Sequence, residues 1–507
     1  MPSLLAEKFP ESKIRIVQQI GQPSPTVLET IDQLLLILPA KPTEKSWSLV
    51  PQGSKVKALL KRRPSGSVPE ITTRLANKTQ TAIHVGLLDS RIDAFEQLTF
   101  AKKMVAAALA ENAGCVGIWV HGFSAEQQRV IAERMCAAAL AAGFSMPHFK
   151  SGNKRTTIKS LRIVGLDARL DLRRTVAEAD GNNLARWLTA MPPNKLDAQQ
   201  YVNLLRELAR KHGWQYRKYG IAELKKLGAG AFLAVAQGNA DNSAAIVRLR
   251  YRPRKNVARP ALSLVGKGII FDTGGINLKP FQSMLDMHID MGGSAVAAGT
   301  LLAISELELP VAVDCWLAIT ENRTGPTAYK PQDLITAANG KTIQTIHTDA
   351  EGRMALADTL TLAGREKPAL LIDYATLTGA CINAITPRYS GVFSNRQKLH
   401  PVLKKTGVEC GERVWPFPMG KEFLEELKSD SADLKQCSPS AGGDHILAAT
   451  FLNEFVDKSI PWVHIDLSAC MRKGGLAHVP TDISGFGVRY TMSLILDRKV
   501  LDSAEWK

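Results

Sequence analysis

One stretch of this chain sets charged residues where an apolar strand meets an apolar helix. The run His347-Thr348-Asp349-Ala350-Glu351-Gly352-Arg353-Met354 alternates two carboxylates and a guanidinium over five residues. On a strand those three would share a face, whereas a regular helix would fan them apart. KTIQTIHT before it alternates like a strand and MALADTLTLAGRE after it reads as a helix. The run is therefore expected at a strand-to-helix turn, with the helix starting near Gly352. Acidic groups crowded at such a turn repel one another unless something positive neutralises them. Arg353 is one candidate, and a metal ion is a better one.

Two further clusters have the same character. In GKGIIFDTGGINLKP, Lys267 and Asp272 bracket the apolar run from Gly268 to Phe271, so at least one of them ends a buried strand. Lys279 follows, and Gly274 and Gly275 allow a tight turn and a close approach. Asp286 and Asp290 lie four residues apart, on one face of an expected helix, ahead of Gly292 and Gly293. Asp272, Asp290, Asp349 and Glu351 together supply the charge that would balance two divalent cations. Oxygen-rich ligation suits Mn²⁺, Zn²⁺ or Mg²⁺, and the lack of Cys and His ligands disfavours a structural zinc site. Two such ions roughly 3.5–4 Å apart can share and activate a water and polarise a carbonyl. Surface ion pairing would explain any one of these carboxylates, but three clusters flanked by apolar strand and glycine point to a buried site. The Gly266-Lys267-Gly268 triplet lacks the pattern of a phosphate-binding loop.

VGKGIIFDTGGINLKP, MHIDMGGSAV, HTDAEGRMALAD and DYATLTGA, in this order and spacing, resemble the cytosolic leucine aminopeptidase family of two-metal exopeptidases, over roughly Asn183 to Arg489. The resemblance implies that Lys267, Asp272, Asp290 and Glu351 bind the tighter metal, with Lys267 as a neutral amine. Asp272, Asp349 and Glu351 would bind the more exchangeable one. It implies that Lys279 stabilises the oxyanion and that Arg353 holds a bicarbonate ion acting as general base. It further implies that Met287, Thr376, Leu377 and Gly379 border the pocket for the first side chain. Peptide substrates, a preference for leucine or other apolar first residues, a homohexamer and a cytoplasmic location are implied with it. The chain departs from the family pattern at His347, where asparagine is usual, and at Thr273, where DSGG is more common; neither position is a ligand. His288 has no family role and reads as structural, and His464 reads as a core or supporting group rather than a ligand.

The elements that must hold these groups alternate between strand and helix. Residues 176–507 read as a large catalytic domain, three-layered α/β/α around a mixed central sheet, with 176–213 as a helical connector. Functional groups in such folds gather at the carboxyl ends of the strands. Residues 1–175 read as a smaller N-terminal α/β domain, and their 25 Lys and Arg against 14 Asp and Glu carry most of the net +16. That excess, including Lys61-Arg62-Arg63, motivates an alternative reading as a DNA-binding or regulatory protein on the same scaffold. With no aromatic-basic motif beside it, the charge reads instead as a solvated surface. A two-metal phosphoesterase is disfavoured because the clusters lack histidines and phosphate donors. No run reaches the roughly 18 apolar residues of a membrane span, and MPSLLAEKFPESK lacks the order of a signal peptide. The seven scattered cysteines read as reduced cytosolic thiols.

Overall fold

A computed structural model describes residues 9–10, 14–62, 66–111, 113–152, 158–253, 259–440 and 442–502; Arg63 of the basic run lies outside them. Two compact units divide the chain. One is formed by Pro10–Ala179 with Lys473–Ser484, the other by Asp180–Arg472 with the chain from Gly485 onward and the first residues. The passage between them falls inside the helix Arg173–Thr189. Lys473–Ser484 thus belongs with the smaller unit, although it lies far along a stretch expected to be wholly catalytic.

The smaller unit is built on six strands: β1 (Arg15–Ile20), β2 (Gln33–Pro39), β3 (Ile71–Arg74), β4 (Ala82–Leu88), β5 (Cys115–Val120) and β6 (Ser160–Leu166), in the order β1-β6-β5-β2-β4-β3. Only the β3–β4 pairing is antiparallel. Leu34 to Leu38 are completely buried, as an unbroken apolar run must be in a parallel sheet covered on both faces.

The larger unit has β7 (Gln215–Gly220), β8 (Ala245–Tyr251), β9 (Leu262–Asp272), β10 (Val313–Asn322), β11 (Leu334–Thr336), β12 (Thr342–Gln344), β13 (Leu370–Ala375), β14 (Ser390–Ser394), β15 (Val414–Pro416), β16 (Leu434–Lys435) and β17 (Trp462–Asp466). Eight of these form one sheet in the order β15-β14-β17-β13-β9-β10-β8-β7. Its centre, β17-β13-β9-β10, is parallel, and β8 and β7 add antiparallel strands at one side. β11, β12 and β16 make a separate small sheet. On one face of β9, Val265 and Ile269 share a core with Met354 and Ala355 of the helix Glu351–Gly364. On the other face Gly266 lies against Ser294 of the helix Gly292–Glu306. This is the three-layered α/β/α arrangement with a mixed sheet.

The local chemistry accounts for the helix boundaries. Ala198–His212 starts at Asp197, whose side chain accepts from the Gln200 backbone N–H while Gln200 reaches back, and it stops at left-handed Gly213. Elsewhere the elements differ from expectation. The strand before the acidic run is only Thr342–Gln344, since residues 345–350 leave it to reach other partners. The helix expected around Asp286 and Asp290 is a 3₁₀ turn, Met287–Met291, ahead of the α-helix from Gly292. That tighter turn buries Asp290 and leaves Asp286 exposed. Met287–Glu306 as a whole is long and apolar enough to cross a membrane, but 83% of its apolar window is buried inside the protein, as a core helix is.

The helix Glu351–Gly364 is anchored by Asp358, which is fully buried. Its two oxygens accept from the backbone N–H groups of Phe232 (2.8 Å) and Ala338 (2.7 Å). Asp358→Ala would leave both donors unpaired and is expected to destabilise the fold by about 2–4 kcal/mol. Asp358→Asn keeps one acceptor and should cost less. Denaturant unfolding of the two variants checks this, and equal loss for both would contradict the anchoring role.

Candidate functional site

β9 carries Lys267 in its middle and Asp272 at its end. Lys267 is 3% exposed and lies along Gly352, where an added Cβ would sit 2.7 Å from its Cε and Nζ. The glycine in the acidic run is therefore the space that the lysine fills. The Lys267 ammonium meets Asp290 Oδ2 at 2.8 Å and Glu351 Oε1 at 2.9 Å, and donates to the Thr376 carbonyl at 3.0 Å. Beyond Asp272 the chain turns through Gly274 and Gly275, both in the left-handed region (φ +86° and +68°). The turn brings Lys279 back to Asp272 Oδ2 at 2.9 Å and to Asp349.

Asp272, Asp290 and Glu351 are all buried and offer oxygens within 4.8 Å of one another. Like charges at that separation repel by about 3–4 kcal/mol per pair at an effective dielectric constant near 20. With Asp349, four carboxylates face two ammonium groups. The strain appears in the titration of the groups. Burial, then Asp272, pushes Glu351 up to about 8 against the pull of Lys267. Burial pushes Asp290 up to about 6, again opposed by Lys267. Burial and Asp272 raise Asp349 as well. Burial works against the charge on Lys267, but Asp290, Glu351 and Asp272 outweigh it and raise the group. Lys279 is raised by the same balance, with Asp272 and Glu351 opposing its burial.

The donor set fits divalent cations. Asp290 Oδ2, Glu351 Oε1 and Asp349 Oδ1 are buried oxygens with no hydrogen bond aligned on them, each close to an ammonium group. Hard oxygens in excess of the local positive charge are what Mn²⁺, Zn²⁺ or Mg²⁺ would take.

The expected site residues come together in one cavity of about 870 Å³ in the larger unit. Lys267, Asp272, Lys279, Met287, Asp290, Asp349, Glu351, Arg353, Thr376, Leu377 and Gly379 all line it. Asp349, Glu351 and Arg353 face it together although the last two lie in a helix. The direct partners of Arg353 lie outside the acidic run. Its Nη1 donates to the Gln436 carbonyl at 3.2 Å and its Nη2 to Asp444 Oδ2 at 2.6 Å. His347 is exposed at the cavity wall, where its Nδ1 accepts from the Asp349 backbone N–H at 3.3 Å. His464 is fully buried away from this lining, paired with Asp373 at 2.7 Å.

Four residues that set the geometry belong to none of the three charged clusters read from the sequence. Asn322, at the end of β10, donates to Asp272 Oδ1 at 2.8 Å and to the Thr348 carbonyl at 3.0 Å, which fixes the strand end against the acidic loop. Tyr329 donates to the same carbonyl at 2.8 Å. Gln436 accepts from the N–H groups of Ile346 and His347 and donates to the Ala350 carbonyl. Asp466 accepts from the Thr378 hydroxyl at 2.7 Å and the Leu377 N–H at 3.2 Å, holding that cavity edge. Asn322 and Asp466 end central strands, and that position was the only available hint.

Metal binding is expected to release protons. Burial and Asp272 favour the protonated form of Glu351, pushing it up to about 8, and the neighbouring carboxylates keep Lys267 a cation, whereas ligands must be deprotonated. Affinity should therefore rise with pH, more steeply below about 8, where both groups give up protons, than above it, where only Lys267 does. Calorimetric titration of the metal-free protein with Mn²⁺ in buffers of different ionisation enthalpy measures this directly. Binding heats that do not depend on the buffer near pH 7 would contradict it.

Residues 183–492 match the model of the cytosol aminopeptidase family, catalytic domain. A probable cytosol aminopeptidase of Prochlorococcus marinus (strain MIT 9313) is 36% identical over 454 residues, which cover 88% of this chain and 91% of that protein. One from Parasynechococcus marenigrum (strain WH8102) is 35% identical, covering 85% and 88%. Among solved structures, a mutant of tomato leucine aminopeptidase matches with a TM-score of 0.84 and 27% identity over 97% of this chain and 98% of that one. These comparisons do not support the DNA-binding or regulatory alternative.

Proposed function

The chain belongs to the cytosol aminopeptidase family of metal-dependent aminopeptidases, and from that premise we propose that it releases leucine and other apolar residues from the amino ends of peptides with two divalent ions. The observation that carries this reading is the buried set Asp272, Asp290 and Glu351, opening on a cavity that also holds an ammonium group and an apolar wall. Lys267, Asp272, Asp290 and Glu351 would hold one ion; Asp272, Asp349 and Glu351 the other. When bound, the ions supply Lewis acidity, an activated water and a seat for the free α-amine.

The chain's own groups supply the rest. Lys267 must be neutral as a ligand, which cations in place of its proton would enforce. Lys279 remains charged and, once cations take up Asp272 and Asp349, is free to donate to the scissile carbonyl oxygen as negative charge develops there. Met287, Leu377 and the β-carbon side of Thr376, with Gly379 leaving room, form the surface for the first side chain. Ile382 and Met471 line the same cavity and extend that apolar wall. The similar tomato structure, that of a leucine aminopeptidase mutant, agrees with that preference. Ile276, Leu278, Phe281 and Leu285 next to the site are 44–76% exposed, an apolar surface that subunits of a homohexamer would cover. A cytoplasmic location follows the names of the relatives. Bicarbonate is left out of this reading because Asp444 already sits on Arg353.

The purified protein is expected to cleave leucine p-nitroanilide with Mn²⁺ added, to lose activity on chelation, and to spare the N-acetylated substrate. Lys279→Ala and Glu351→Ala should each lower kcat/KM by on the order of 10²-fold or more. Near wild-type turnover by either variant would refute its assigned role. Sedimentation analysis should find six copies per particle, and a monomer at working concentration would exclude the hexamer.

A further inference from the structure

Arg353 is held in a way the two-metal reading does not use. Its side chain is 2% exposed. Nη1 and Nη2 are engaged by Gln436 and Asp444, and Nε has no hydrogen-bond partner. Asp444 is the first residue of the helix Asp444–Asn453. Its side chain is 40% exposed and lines the same cavity as Lys267, Asp272, Lys279 and Glu351. It is not in the ligand set.

The guanidinium thus already carries a carboxylate, and that carboxylate belongs to the chain. Bicarbonate and a carboxylate present the same kind of oxygens to an arginine, so they compete for the same donors. The tethered group has the advantage, since it surrenders no translational freedom on binding. The first turn of a helix also favours an anion there. A buried arginine without a partner is costly, so the pair is not readily opened. As folded, the site does not fit bicarbonate.

We infer that Asp444 is the chain's own anion for Arg353, standing where the family resemblance puts bicarbonate, and that its carboxylate accepts the proton of the attacking water. In that step the water oxygen bonds to the carbonyl carbon and the water proton passes to Asp444. The proton then goes to the departing amine nitrogen as the C–N bond breaks, and Asp444 is left ionised again. The proton-transfer role rests on the aminopeptidase reading; the occupancy of Arg353 does not.

Two measurements separate these. In the first, ¹³C-bicarbonate is titrated into metal-free protein and its line broadening followed. The wild type should show no saturable binding, D444A should bind, and the double variant R353Q/D444A should not. Saturable binding by the wild type equal to that of D444A overturns the occupancy. In the second, Mn²⁺-loaded enzyme is assayed in carbonate-depleted buffer with and without added bicarbonate. Wild-type kcat should change less than about twofold, D444N should fall on the order of 10²-fold, and D444A should be partly rescued by bicarbonate. A bicarbonate-dependent wild type, or D444N with undiminished kcat and an unchanged unfolding midpoint, overturns the catalytic role. Absence of peptidase activity under every condition sinks the aminopeptidase reading and the proton transfer with it, while the binding titration still decides the occupancy.

Discussion

Four carboxylates gathered around two ammonium groups inside an apolar domain are the constraint on which the larger unit depends. Each pair of like charges among Asp272, Asp290 and Glu351 costs several kcal/mol at such separations, which the two ammonium groups offset in part while the backbone fixes the acids in place. β9 delivers Lys267 and Asp272 from one strand, the Gly274-Gly275 turn returns Lys279, and the 3₁₀ turn buries Asp290. The helix that begins at Glu351 closes the group, with Gly352 making room for the lysine stem. Lys267 and Lys279 lie against the same carboxylate oxygens that would hold cations.

A cluster under that much repulsion needs rigid supports. Asn322 ties Asp272 to the Thr348 carbonyl, and the Thr376 hydroxyl donates to Asp290 Oδ1 at 2.7 Å. Thr348 accepts from the Asn277 N–H at 2.8 Å and donates to the Gly274 carbonyl at 2.6 Å, so the acidic loop and the glycine turn are locked together. These contacts use neutral groups, which orient carboxylates without adding charge to an already unbalanced site. At the Leu377-Thr378 edge, where the apolar wall begins, the roles are reversed: the carboxylate of Asp466 accepts from the Leu377 N–H and the Thr378 hydroxyl. Preorganisation of this kind lets binding and orientation be settled before the reaction.

The alternation of strands and helices was legible because each element has its own hydrophobic period. ALSLVGKGIIFD, VAVDCWLAIT and PWVHIDLSA all contain strands of the central sheet. Short elements were less legible. KTIQTIHT yields a strand only over Thr342–Gln344, because the Thr345 N–H goes to the Asp333 carbonyl and Gln436 takes those of Ile346 and His347. The 3₁₀ turn at Met287–Met291 was hidden because its apolar residues also fit a helical period. The placement of Lys473–Ser484 with the smaller unit leaves no trace in local composition, since long-range packing decides it.

The sequence by itself determined which residue types are available and that they are too charged for their apolar setting. Asp272, Asp349, Glu351 and the pair Asp286 and Asp290 stood out from spacing and glycine context, and the 3₁₀ turn decided between the last two. Their family resemblance then supplied roles for Lys267, Lys279 and Arg353. Only the tertiary structure decided who partners whom. It paired Arg353 with Asp444, more than ninety positions away along the chain, and set Asn322 against Asp272. Ion pairs and hydrogen bonds depend on ångström-scale distance, which sequence separation does not report. The anion at Arg353 is therefore a product of folding.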